Sequence, residues 1–112
     1  KAWGESQLET DLAGSDNDLL WECGLPGVLP SLEYVVAGNN TPLSFSWSEI
    51  LYDLVINVAT DGSGNPTSTA SDIRSMILAN LYMADRFRIS FKTGNNGSGI
   101  VTVMAHTHFM AV

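Results

Sequence analysis

Cations are scarce in this chain: five Lys and Arg stand against 12 Asp and Glu in 112 residues, a net charge of −7. Lys1 and Arg74 are isolated, and only Arg86, Arg88 and Lys92 lie close together, at alternating positions of one stretch. A surface that tracks phosphates needs clustered cations, so nucleic acid is not an expected partner. Cations on one strand face more simply keep a sheet edge from pairing. Cys23 is the single cysteine, which excludes a disulfide within the chain and leaves stability to packing. It sits in the apolar run Leu19-Leu20-Trp21-Glu22-Cys23 with no cation beside it, the setting of a small buried side chain rather than a nucleophile. No run of about 18 apolar residues occurs, and the first residues lack the charged-then-apolar order of a secretion signal. A soluble protein made in a reducing cytoplasm is therefore expected, without a membrane partner.

Catalytic patterns are also missing. Both histidines fall in one short segment near the C-terminus and no Gly-x-Ser-x-Gly elbow exists, so a Ser/His/carboxylate triad has no marked nucleophile. Asp61-Gly62-Ser63-Gly64 precedes a helix but lacks the Gly-Lys-Ser/Thr ending of a phosphate loop. Asp16 and Asp18 flank Asn17, yet the remaining ligands of a calcium loop do not follow. The expectation is a non-enzymatic protein with no cofactor. His106 and His108 are two apart and would project to one side of a strand; two imidazoles are too few for a metal site unless copies cluster about an axis.

What is present is punctuation and pattern. Asp61-Gly62-Ser63-Gly64-Asn65-Pro66 must turn. Thr69-Ala70-Ser71-Asp72 has capping-box spacing, with Asp in place of Glu, and Ala70, Ile73, Met76, Ile77 and Leu81 recur on one helical face. Period-two alternation marks Leu43, Phe45 and Trp47, then Leu54, Ile56 and Val58, predicting a hairpin around Glu49–Asp53. A second hairpin is predicted from Phe87, Ile89 and Phe91 through a Gly/Asn turn into Val101, Val103 and Ala105, while Leu19–Cys23 and Leu32–Val36 supply two further strands. The fold class expected is α+β, a mostly antiparallel sheet or sandwich of about six strands with one short amphipathic helix.

Residues 1–16 show neither helical nor strand periodicity and hold Trp3 and Leu8 as isolated anchors, so an extended N-terminal arm is predicted ahead of a single domain spanning 17–112. Hydrophobic residues make up 45% and charged ones only 15%, which points to a surface that lives against neighbours. Apolar residues stand where a loop or terminus should be polar: Ile50, Leu51 and Tyr52 at the hairpin tip, Tyr82 and Met83 after the helix, and Phe109 and Met110 near the end. With Trp3 and Leu8 they form the candidate interface set. Trp21, Trp47 and Tyr52 could instead offer flat faces to sugar rings, as in a carbohydrate-binding adhesin domain, although Trp47 alternates in phase with core positions.

Four pieces occur in one order: Asn39-Asn40-Thr41-Pro42-Leu43-Ser44, Asn57-Val58-Ala59-Thr60-Asp61-Gly62-Ser63-Gly64, Thr67-Ser68-Thr69-Ala70 and Gly97-Ser98-Gly99-Ile100-Val101-Thr102-Val103-Met104-Ala105. Together they resemble a small domain of tailed-bacteriophage virion structural proteins, across roughly Asp16 to Ala105. The resemblance implies a virion component synthesised in the host cytoplasm, a capsid decoration or cement protein bound to the major capsid protein or to other virion proteins. A homo-oligomer, with a trimer favoured, goes with that role; a tail tube, collar or fibre-attachment module is the alternative within the same class. The apolar tip Glu49-Ile50-Leu51-Tyr52, the segment Leu81-Tyr82-Met83-Ala84 and the tail from Met104 to Met110 depart from the polar or small residues of that pattern.

Overall fold

The computed structural model describes every residue from Lys1 to Val112. Two sheets share one hydrophobic core, the α+β, mostly β arrangement expected. The strands are β1 (Ser6–Glu9), β2 (Leu19–Cys23), β3 (Ser31–Val35), β4 (Ser44–Ser48), β5 (Asp53–Asn57), β6 (Phe87–Phe91), β7 (Met104–His108) and β8 (Met110–Ala111), with helices α1 (Ala70–Ala79) and α2 (Leu81–Ala84) between β5 and β6. The first sheet has the order β6-β2-β1-β8 and is antiparallel throughout; the second has the order β4-β5-β3-β7, with β3 and β5 parallel. Because both sheets turn one face inward, alternate residues of each strand reach the core: Leu19, Trp21 and Cys23 from β2, Leu32 and Tyr34 from β3, Leu54 and Ile56 from β5, Phe87 and Ile89 from β6. Phe87 joins the layers, meeting the rings of Trp21, Trp47 and Phe109 at centroid separations of 5.9, 5.3 and 5.8 Å.

The first hairpin forms as its alternation predicts, with Ser48 opposite Asp53 and Ser44 opposite Asn57. The helix also starts as predicted. Thr69 accepts from the Asp72 N–H at 3.0 Å while the Asp72 carboxylate accepts from the Thr69 N–H at 2.9 Å, a complete capping box, and Ile73 and Ile77 enter the core. The turn before it is an Asx turn, with the Asp61 side chain accepting from the N–H groups of Ser63 and Asn65.

Three expectations need correction. Residues 1–16 are not an arm: β1 lies between β2 and β8, pairing Leu8 with Trp21 on one side and Gln7 with Met110 on the other. Four residues are too few to display a period, and the strand is recognisable only through its partners. The second hairpin is absent, because β6 joins the first sheet against β2 and β7 joins the second against β3. The segment between them serves instead as a clasp: Gly97 and Gly99 carbonyls accept from the first N–H groups of α1, and the Gly99 N–H donates to Asp16 at 2.9 Å. A Cβ at Gly99 would sit 2.0 Å from the Ser15 carbonyl oxygen, so only glycine lets these loops close. Finally, Leu81 is not on the buried helical face. Asn80 leaves helical geometry (φ −90°, ψ 113°), ends α1 and caps α2, which turns Leu81 outward and Met83 inward.

Candidate interaction surface

The apolar tip between β4 and β5 and the start of α2, 30 residues apart in sequence, come together through Glu49. Its carboxylate accepts from Arg86 Nε at 2.8 and 2.9 Å, from the Tyr82 hydroxyl, and from Trp47 Nε1 at 3.2 Å. The Arg86 guanidinium also stacks over the Tyr82 ring, 3.5 Å from its centroid, and donates through Nη1 to the Tyr82 carbonyl oxygen at 3.0 Å. Hydrogen bonds from Arg86 first, then from Tyr82, hold the Glu49 carboxyl at about 2, well below the ordinary glutamate range. The same contact raises the Arg86 guanidinium and the Tyr82 phenol. An exposed ion pair of this kind contributes little to stability, but it fixes where its neighbours stand. Those neighbours are Ile50, 89% exposed, Leu51 at 69%, Leu81 at 85% and Tyr82 itself at 50%. Two apolar segments that the sequence shows separately thus form one exposed surface.

At the same end of the second sheet, where His108 lies opposite Ser31 and Ser31 opposite Asp53, the chain crosses from β7 to β8, and Phe109 at the crossing is buried. Met110, 73% exposed, borders an open groove of about 460 Å³ with Gln7, Leu8, Glu9, Thr107 and His108. His106 and His108 do share a side of β7, with ring centroids 5.0 Å apart, and His106 Nε2 lies 3.5 Å from Asp53 Oδ1. A hydrogen bond from the Ser31 hydroxyl is the main cause of the lowered Asp53 carboxyl, with His106 adding to it. No group of three His, Cys, Asp or Glu side chains is placed to hold a metal ion.

The interface set therefore divides. Ile50, Leu51, Tyr82 and Met110 are exposed, whereas Leu8, Met83 and Phe109 belong to the core and are not free contact surface. Tyr52 is half-buried, its ring 6.1 Å from that of Trp47, and takes a positive φ of 56° to close the turn. Trp3 is half-buried over Gly24, with the Arg88 guanidinium 4.5 Å from its ring. Trp21 is fully buried and unavailable to a sugar ring, and Trp47 packs against Phe87. Sequence reasoning missed Arg86 as the organiser of the exposed surface, because nothing local in a sequence links a cation to a carboxylate 37 residues away. Comparison of the chain with protein-family models, with curated proteins and with solved structures returns no match.

Proposed function

We propose that this chain is a non-catalytic structural protein of a tailed-bacteriophage particle, which docks several copies of itself onto the outer surface of the assembled head and stabilises it. The observation that carries the reading is the cluster of Ile50, Leu51, Leu81 and Tyr82, held in place by the Glu49–Arg86–Tyr82 contacts on an otherwise weakly charged surface. Large apolar side chains fixed outward in this way are contact residues awaiting cover. The ordered set of turn and cap motifs that resembles phage virion domains supplies the class of partner, the major capsid protein. Repetition over a lattice turns individually weak contacts into firm attachment. The mechanism is burial of apolar area between subunits, with no bond made or broken.

Co-sedimentation of the purified chain with heads of its particle tests the reading. Ile50→Asp together with Leu51→Asp should abolish the binding while the circular dichroism spectrum is kept. Equal binding by this variant, or a ring of density along the tail in cryo-EM of the particle with none on the head, would overturn it.

A further inference from the structure

Four strands lie at sheet edges, β6 and β8 in one sheet and β4 and β7 in the other. An edge strand presents unpaired N–H and C=O groups and is normally guarded against pairing with another chain. Three of these edges are guarded. On β6, Arg74 Nε donates to the Ile89 carbonyl oxygen at 2.8 Å, and Arg86 and Arg88 stand in or beside the strand. β7 has a register shift against β3, carries His106 and His108, and the Thr107 hydroxyl donates to the Ala105 carbonyl oxygen at 2.7 Å. β8 has only two residues. β4 has none of these devices: its sequence is Ser44-Phe45-Ser46-Trp47-Ser48, without charge, proline or bulge.

The outward groups of β4 can be identified. The Ser31 N–H donates to the Tyr52 carbonyl oxygen and the Val58 N–H to the Val35 carbonyl oxygen, so Tyr52, Leu54, Ile56 and Val58 turn their backbone groups to β3. Asp53, Val55 and Asn57 therefore turn theirs to β4, opposite Ser48, Ser46 and Ser44. The N–H and C=O groups of Phe45 and Trp47 point away from β5, and neither residue enters a backbone hydrogen bond outside the strand ladders.

We propose that β4 pairs antiparallel with β4 of a second copy of this chain, about a two-fold axis through Ser46. The strand reads nearly the same in both directions, so this register sets Phe45 opposite Trp47 of the other copy at both hydrogen-bonded positions, Ser44 opposite Ser48, and Ser46 opposite itself. The outward groups of Phe45 and Trp47 are the ones this register uses. Aromatic pairs fall on the core side and serine pairs on the other, both favourable across strands. A chain of net charge −7 repels its own copies, and β4 itself adds no charge to that repulsion. Pairing continues the second sheet across the axis. A three-fold assembly through this strand would require a different complementary edge, and the other three are guarded. Such a short contact forms a weak, concentration-dependent dimer.

Analytical ultracentrifugation of the wild-type chain and of Ser46→Asp and Ser46→Lys tests the pairing. Ser46 is exposed, so these variants keep the fold. Wild type should associate to a dimer as concentration rises into the millimolar range. Each variant places like-charged side chains directly opposite each other across the axis, on Cα atoms about 4.5 Å apart, and should dimerise at least about fivefold more weakly at low salt, while an equal mixture of the two regains or exceeds wild-type affinity. Ser46→Cys should form an intermolecular disulfide on mild oxidation, since Cys23 is buried. A wild-type chain that stays monomeric, or variants that associate as wild type does, would overturn the proposal. The pairing requires no phage particle, so its failure would leave head binding untouched.

Discussion

Replacing Leu8 by Ala separates an integral first strand from a loose N-terminal segment. Leu8 is 6% exposed, pairs with Trp21 of β2 and belongs to the common core, so truncation loses both transfer free energy and packing. Leucine-to-alanine changes in cores cost about 2–5 kcal/mol. Leu8 also borders the open groove beside Met110, where water and neighbouring side chains can fill the gap, which places the expected loss at about 2.5 kcal/mol. An unfolding entropy of about 2.1 cal/mol/K per residue gives about 0.24 kcal/mol/K for a chain of this size, so the melting temperature should fall by about 10 °C. Ile50→Ala is the control: at 89% exposure it should move the midpoint by less than about 2 °C. Differential scanning calorimetry reads both. Equal midpoints for the two variants would refute the place of β1 in the core and restore an arm that the domain can do without.

Other consequences can be measured as directly. Asp72→Ala removes half of the capping box and should lower stability by about 1 kcal/mol in urea denaturation, with the m-value unchanged. Gly99→Ala drives a methyl group into the backbone at Ser15 and Asp16; separation of the loops that hold the start of α1 should cost at least about 2 kcal/mol. Because the folded Glu49 pKa lies below its ordinary value near 4.5, its contribution is complete above that value and is lost as pH falls through about 2. NMR titration of the Glu49 carboxyl should give a midpoint near 2 in the native chain and a clear rise toward the ordinary range in Arg86→Leu.

Much of the architecture was legible in local chemistry. Thr69 and Asp72 are three residues apart, so the capping box can be read in sequence and appears in the structure. Leu54, Ile56 and Val58 alternate against Phe45 and Trp47 across a four-residue turn, and that hairpin forms. What could not be read is pairing between distant segments. β1 is four residues long and means nothing without β2 and β8, and the Gly94–Gly99 segment has the composition of a hairpin turn, yet its Gly97 and Gly99 clasp the start of α1. Leu81 fits the helical period, but Asn80 ends the helix one residue earlier by turning its side chain to cap the next.

The same division holds for the contact surface. By itself the sequence determined that the chain has few charges, a single cysteine and apolar residues where loops are usually polar, since composition and spacing are properties of the chain before it folds. Only the tertiary structure decided which apolar residues remain outside. Leu8, Met83 and Phe109 are drawn into the core by strand pairing and by the turn at Asn80, while Ile50, Leu51, Leu81 and Tyr82 are held together by a carboxylate and a guanidinium from distant parts of the chain. Exposure is a property of the packed molecule, because it depends on what else comes to lie above each side chain.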